Sequence, residues 1–143
     1  MQLAKLSDYA LRALVLAAVR HPELVTVAEI ARIYRIPEGH VRKIAHLLAR
    51  QGFLASVRGR AGGYRLAAPP ETISLGRVVR ATETDFRLVE CFDPSSRLCR
   101  LEPGCALRAV LNEALEAFLA VLDRTTLADV TAERRRLREL LAL

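Results

Sequence analysis

The first fifty residues contain three segments in which apolar side chains recur every three or four positions, the spacing of an amphipathic helix. This spacing predicts helices over residues 8–19, 26–34 and 38–50. Ser7 is the expected N-cap of the first helix, and Thr26-Val-Ala-Glu29 is a capping-box pattern that begins the second. The apolar positions behind these predictions are Leu11, Leu14, Val15, Ala18, Ile30, Ile33, Val41, Ile44, Leu47 and Leu48.

The second and third helices, joined by a brief turn, predict a helix-turn-helix whose last helix enters a DNA major groove. Residues 53–58 and 64–67 then predict two strands joined by a turn rich in glycine and arginine, 59–63. A hairpin directly after the recognition helix is the wing of a winged helix-turn-helix. Its glycines allow the backbone to approach DNA phosphates closely. The residues predicted to contact DNA are His40, Arg42, Lys43, Arg50, Arg58, Arg60 and Arg65.

The charge distribution supports this interpretation. The chain has a net charge of +6, but residues 1–65 contain 11 Lys and Arg against 4 Asp and Glu, whereas residues 66–143 contain 11 against 12. A basic first half on a neutral remainder is typical of a protein that binds a polyanion. The glycines at 62 and 63 precede a strand rather than a helix, so they do not form a nucleotide-binding loop. We therefore expect a double-stranded DNA-binding protein and not an enzyme.

A short helix is predicted over 74–81, and no periodicity holds from 83 to 104, which predicts a long loop. All three cysteines lie in or next to this loop, with the spacing Cys91-x7-Cys99-x5-Cys105. Zinc requires a fourth ligand, and all three histidines lie in the first half of the chain. Three soft thiolates on one loop favour an iron–sulfur cluster. A thiol redox sensor without a cluster remains the alternative.

The segment 106–123 predicts a long helix with a broad apolar stripe, which either a second copy of the chain or the rest of the core could cover. The basic end of the chain, 133–143, predicts a solvated terminal helix. The expected fold is mainly α with a small β-hairpin, a winged helix-turn-helix followed by a long dimerisation helix. We expect a DNA-binding domain over 1–68, a connecting helix and cysteine loop over 69–104, and a dimerisation helix with its tail over 105–143.

No window of the sequence resembles a membrane span, and the N-terminus lacks the features of a signal peptide. The expected location is the cytoplasm, with no membrane partner. In that compartment a disulfide is disfavoured, and any single disulfide would leave one of the three cysteines over.

Four segments of the chain resemble a known family. They lie at the start, in the wing, between the last two cysteines and near the C-terminus, and they read SDYALRAL (7–14), VRGRAGGYRLA (57–67), CRLEPGC (99–105) and TLADV (126–130). These segments resemble the winged-helix iron–sulfur regulators that include IscR and RirA, and within them the nitric-oxide-sensing repressors. The gap between Cys91 and Cys99 is longer than that resemblance leads us to expect.

The resemblance implies a homodimeric repressor with one cluster per subunit, of the 4Fe-4S type with 2Fe-2S as the alternative. Cys91, Cys99 and Cys105 would hold the cluster, and Asp8 of the partner subunit would supply the fourth ligand. Nitric oxide would be the signal that releases operator DNA. IscR-like proteins use a histidine near the cysteines, which this chain lacks, so nitric oxide sensing is favoured over control of cluster assembly. An iron-responsive regulator of the same family stays an open alternative.

Overall fold

The N-terminal helix α1 (Lys5–Arg20) is the element around which the rest of the chain packs. The computed structural model describes residues 2–95, 99, 101 and 104–143. One side of α1 lies against the DNA-reading elements, and other sides lie against the helices that follow them. Half of the residues of α1 are consequently buried: Ser7, Ala10, Ala13, Leu14, Leu16, Ala17, Ala18 and Val19.

The start of α1 differs from the sequence prediction. The helix begins at Lys5 with Ala4 as its N-cap, and Ser7 lies inside the first turn, fully buried. Ala4 has no side chain that could cap the helix. The carboxylate of Glu83 accepts a hydrogen bond from the Ala4 amide at 2.9 Å instead. A residue distant in sequence thus replaces the local cap, which is why the sequence pattern placed the start one turn too late.

The predicted winged helix-turn-helix is confirmed. It consists of α2 (Val27–Tyr34), α3 (Glu38–Arg50) and an antiparallel pair of strands, β1 (Leu54–Val57) and β2 (Gly63–Leu66). Thr26 caps α2 by accepting from the Glu29 amide at 3.1 Å, but the Glu29 carboxylate pairs with Arg20 rather than completing a capping box. In the hairpin Leu54 is opposite Leu66 and Val57 is opposite Gly63. Val25 adds a bridge to Tyr64 on the other edge of β2.

Helix α4 (Leu75–Thr82) packs against α1, and the long helix α5 (Ala106–Arg124) packs against α4. The Ser74 hydroxyl caps α4 by accepting from the Arg77 amide at 3.4 Å. Between α4 and α5 the described residues form one short 3-10 turn, Glu90–Phe92. The other residues of the predicted loop, 96–98, 100, 102 and 103, lie outside the described residues. None of the helices in the described ranges is long and apolar enough to cross a membrane.

The predicted terminal helix is present and none of its residues is buried, as expected of a solvated helix, but a few C-terminal side chains also contact the core. After α6 (Leu127–Val130), helix α7 (Arg134–Leu140) lies against α1. The Arg134 guanidinium donates to the carbonyl oxygen of Val19 at 2.8 Å and also to that of His21, at the end of α1 where carbonyls lack helical partners. Leu141 and Leu143 pack against the hydrophobic core. These apolar contacts could not be predicted from the sequence because the segment is rich in arginine.

Gly76 allows α4 and α5 to approach each other closely. A Cβ atom at this position would lie 2.9 Å from the Asp123 Cα and closer still to its carboxylate, which pairs with Arg80. We expect Gly76→Ala to lower the free energy of unfolding by about 1–3 kcal/mol, because the helices must separate. Gly39→Ala is the matched control: no atom lies within 4 Å of its Cβ position, so stability should be unchanged or slightly raised. Denaturant unfolding measures both, and equal stability of the two variants would contradict the packing argument.

Candidate functional site

Helix α3 presents a polar and basic face to solvent. Its apolar residues Val41, Ile44 and Leu48 are buried beneath the helix. The four residues predicted to contact DNA from this helix are all exposed: His40, Arg42, Lys43 and Arg50. Arg42 makes a long ion pair with Glu38, at 3.6 Å, which leaves its guanidinium largely available for a phosphate or a base edge. The structure also exposes Arg35, in the left-handed turn between α2 and α3, which sequence reasoning missed.

The hairpin places its three predicted arginines on the surface. Arg58 and Arg60 are exposed at the tip, and Arg65 is exposed on β2. Gly59 has a φ of 117°, a conformation that other residues rarely adopt, so the turn requires glycine there. The wing and the recognition helix together form a basic surface suited to a duplex.

Replacing Arg60 by alanine is expected to reduce the dependence of DNA affinity on salt. One phosphate contact contributes about one unit to the slope of log K against log salt concentration, so the slope should fall by about 1. Arg135→Ala removes the same charge from a side chain that is 96% exposed on α7, and its slope should match wild type. Anisotropy titrations of a labelled duplex at several salt concentrations give the slopes. Equal slopes in the two variants would show that the wing does not contact phosphate.

The segment between α4 and α5 carries the three cysteines, and none of them forms a disulfide. Cys91 lies half-buried in the 3-10 turn, Cys99 is exposed, and Cys105 is the half-buried N-cap of α5. Cys105 makes no capping hydrogen bond through its side chain. Cys105 thus lies at the N-terminus of a 19-residue helix, and the positive end of the helix favours negative charge there.

Ion pairs stiffen the segment on both sides of Cys91. The Arg87 guanidinium donates to Asp85 at 2.9 Å and also to the Asp93 carboxylate, so it joins residues before and after the cysteine. The hydrogen bond from Arg87 lowers the pKa of Asp85. Hydrogen bonds from Ser95, together with the charge of Arg87, lower the pKa of Asp93. Both carboxylates therefore stay ionised, and the cross-link stays intact, at neutral pH.

Asp8, the fourth predicted ligand, lies on the first turn of α1 with its side chain 42% exposed. Arg12 binds both of its oxygens: the Nε donates to Oδ1 at 2.8 Å and the second contact, to Oδ2, is also 2.8 Å. The same guanidinium lies over the ring of Tyr9 and near Tyr34 at the end of α2. Burial raises the pKa of Tyr34 to about 12, and the positive charge of Arg12 opposes that rise. Asp8 thus lies on the helix that packs directly against α2 and α3.

The single chain does not bring the four predicted ligands together. Within the described ranges no three Cys, His, Asp or Glu side chains are grouped so as to hold a metal ion. The donor chemistry nevertheless fits an iron–sulfur cluster: three thiols without disulfides, accessible to solvent, on a segment whose described residues form a single 3-10 turn. Assignment of Cys91, Cys99, Cys105 and Asp8 as ligands therefore stays a prediction.

Helix α5 has a second apolar face that stays exposed among the described residues. Its inner face, with Leu115 and Leu119 buried, packs toward α4. The outer face presents Leu107, Val110 and Val121 at exposures of 63%, 60% and 46%. The exposed positions follow steps of three and four residues, the heptad spacing of a helix that pairs with another helix: Leu107, Val110, Ala114, Ala117 and Val121.

Comparison with known sequences decides the family. Residues 3–133 match the Rrf2 family, described as iron-dependent transcriptional regulators. The chain belongs to the Rrf2 family. Its relatives include the HTH-type transcriptional regulator NsrR of Bacillus subtilis (strain 168), 46% identical over 144 residues that cover 100% of this chain and 99% of the relative. The regulator of the same name from Geobacillus kaustophilus (strain HTA426) is 47% identical over 142 residues, 99% of this chain and 97% of the relative.

Solved structures of Rrf2-like proteins share the fold. CymR, the global cysteine regulator of B. subtilis, superimposes with a TM-score of 0.76 at 25% identity and covers 93% of this chain and 98% of that chain. IscR of T. potens superimposes with a TM-score of 0.74 at 23% identity, with coverages of 93% and 88%, and supports the fold alone. The predicted fold class and the resemblance drawn from sequence are thus confirmed, and this Rrf2 member is a DNA-binding regulator of transcription.

Proposed function

We propose that the chain is a homodimeric repressor that holds an iron–sulfur cluster and releases operator DNA when nitric oxide reaches that cluster. The observation that carries this proposal is the set of three free cysteines on the segment between α4 and α5. Cys91, Cys99 and Cys105 would hold the cluster, with Asp8 of the partner subunit as the fourth ligand. When bound, the cluster supplies an iron site that reacts with nitric oxide, and a 4Fe-4S cluster suits three thiolates and one weaker ligand.

The exposed face of α5 supports the dimer. Leu107 and Val121 are fourteen residues apart, which gives the stripe a length of about 21 Å along the helix. Exposed leucine and valine in a continuous stripe favour burial against an identical helix. Pairing two α5 helices joins two winged heads, and a dimer of that kind reads two half-sites in DNA.

The chain's own residues connect the ligand position to the DNA-reading helices. Each oxygen of Asp8 accepts one hydrogen bond from Arg12, so lone pairs remain for a further partner. Arg12 holds the carboxylate in place and lies near Tyr34 of α2. Helix α1 packs against α3. A change at Asp8 would therefore move α1 and alter the spacing of the two recognition helices, which shifts the population between DNA-bound and DNA-free arrangements.

Purification without oxygen tests the proposal. We expect the protein to contain iron and acid-labile sulfide, to absorb visible light, and to select a specific duplex from a random pool. Specific binding should exceed binding to unrelated duplex by about a thousand-fold or more. Iron-free, colourless protein that selects the same duplex with equal affinity would contradict a cluster-dependent repressor.

A cluster-free thiol sensor is the second candidate, and the exposure of Cys99 favours it. In that case iron-free protein would bind the selected duplex tightly, and a mild thiol oxidant would release it. The cluster account predicts instead that iron-free protein binds weakly before any oxidant is added.

A further inference from the structure

Two polar side chains are buried in the described part of the chain, Ser7 and Thr82, and they contact each other. Their hydroxyl oxygens are 2.8 Å apart, and the Thr82 oxygen is also 2.9 Å from the carbonyl of Val78. Each hydroxyl has one proton to donate. Both protons are used when Ser7 donates to Thr82 and Thr82 donates to Val78. The contact joins the first turn of α1 to the last residue of α4.

A second contact between the same two elements lies beside the first. Glu83, the residue after α4, accepts from the Ala4 amide at 2.9 Å, and the Ala4 carbonyl accepts from the Asp8 amide at 3.1 Å. Two successive hydrogen bonds therefore connect Glu83 to the backbone of Asp8. Ser7 is the direct neighbour of Asp8 in the chain. We name Ser7, Thr82 and Glu83 the clasp.

The clasp also marks the start of the cysteine segment. Cys91 follows Glu83 by eight residues, and the Arg87 cross-link between Asp85 and Asp93 stiffens the chain between them. These contacts thus connect the start of the segment that carries Cys91 to the backbone around Asp8 within one subunit. Neither contact is needed to form α4, which has its own N-cap in Ser74.

We propose that Ser7, Thr82 and Glu83 are positioning residues that set the place of Asp8 relative to the cysteine segment. This inference rests on the proposed function, in which Asp8 is a cluster ligand. In the proposed dimer, the Asp8 of each subunit would bind the cluster of the partner. The clasp joins that Asp8 to the cysteine segment of its own subunit. Supporting residues of this kind change metal retention by about 10- to 100-fold when they are replaced.

The test compares iron release from holo-protein to a chelator, together with the visible circular dichroism of the cluster. Thr82→Val keeps the shape of the side chain and removes the hydroxyl. We expect about tenfold faster release and the same spectral change as in Asp8→Ala. Thr82→Ser restores the hydroxyl and should behave as wild type. Thr131→Val is the matched control, because the Thr131 hydroxyl also donates back along its own helix, to Leu127 at 2.8 Å.

The double variant Thr82→Val with Asp8→Ala separates positioning from general stability. If the clasp acts through Asp8, the double variant releases iron no faster than Asp8→Ala alone. Three results would overturn the clasp. The first is a double variant in which the two rate increases multiply, and the second is a wild-type rate of iron release in Thr82→Val. The third is a Thr82→Ser variant that does not release iron at the wild-type rate. Glu83→Ala and Glu83→Gln repeat the comparison at a residue that is not fully buried. Glu83→Ala removes the acceptor of the Ala4 amide, whereas glutamine keeps one.

The same measurements distinguish failure of the clasp from failure of the proposed function. If Asp8→Ala alters release and spectrum while Thr82→Val and Glu83→Ala do not, the clasp is wrong and the ligand assignment stands. If Asp8→Ala leaves both unchanged, Asp8 is not a ligand and the clasp falls with that assignment.

Discussion

Replacing Cys105 by serine is expected to abolish iron binding and specific DNA binding together. Cys105 is the N-cap of α5 and its side chain makes no capping hydrogen bond. Serine is among the best N-cap residues, so the substitution should keep or improve the helix while it removes the thiol that is predicted to be a cluster ligand. Iron content should fall to near zero, and affinity for the selected duplex should fall about a thousand-fold, to the level of unrelated DNA.

The control for this variant is Thr126→Ser, which retains an N-cap hydroxyl at the start of α6 and leaves the cysteines untouched. It should retain wild-type iron and DNA affinity. Wild-type iron content and visible absorption in Cys105→Ser would show that Cys105 is not a ligand. Loss of iron with unchanged DNA affinity would show that the cluster does not control DNA binding.

Introducing glutamate at Val110 is expected to separate the dimer. Val110 is 60% exposed in the single chain and lies near the start of the heptad stripe on α5. An unpaired carboxylate cannot be buried between two apolar helices without a large loss of binding free energy. The protein should sediment as a monomer. Its affinity for a two-half-site duplex should drop by about 10²- to 10⁴-fold, because the second head no longer binds as part of the same molecule.

Asn112→Glu adds the same charge to an exposed position of α5 that lies about 140° or more round the helix from every residue of the stripe. This control should remain dimeric and bind DNA as wild type does. A monomeric wild-type protein, or a Val110→Glu variant that remains dimeric with unchanged DNA affinity, would contradict the role of the stripe.

The elements that depend on local periodicity were predictable from sequence. Helices α3 and α5 and the hairpin lie where their apolar spacing and glycines placed them, because a helix face or a strand pair repeats within a few residues. The start of α1 was not predictable, since its cap is the Glu83 carboxylate, 79 positions away. The packing of the half-buried Leu141 and Leu143 against the core is equally non-local.

The candidate site also has a part that could be predicted from the sequence and a part that could not. The exposure of Arg42, Lys43 and Arg60 follows from the amphipathic pattern of α3 and from the turn. The two contacts of the clasp were not predictable, because a buried Ser7 and Thr82 look like ordinary helix residues until the fold brings them together.

A nitric oxide titration of holo-protein bound to its selected duplex tests the central claim most directly. Fluorescence anisotropy of the labelled duplex and visible absorption of the cluster are followed in the same anaerobic cuvette. The account predicts that the duplex is released in step with the change in cluster absorption, and that iron-free protein shows no response to nitric oxide. A duplex that stays bound while the cluster absorption changes would contradict it.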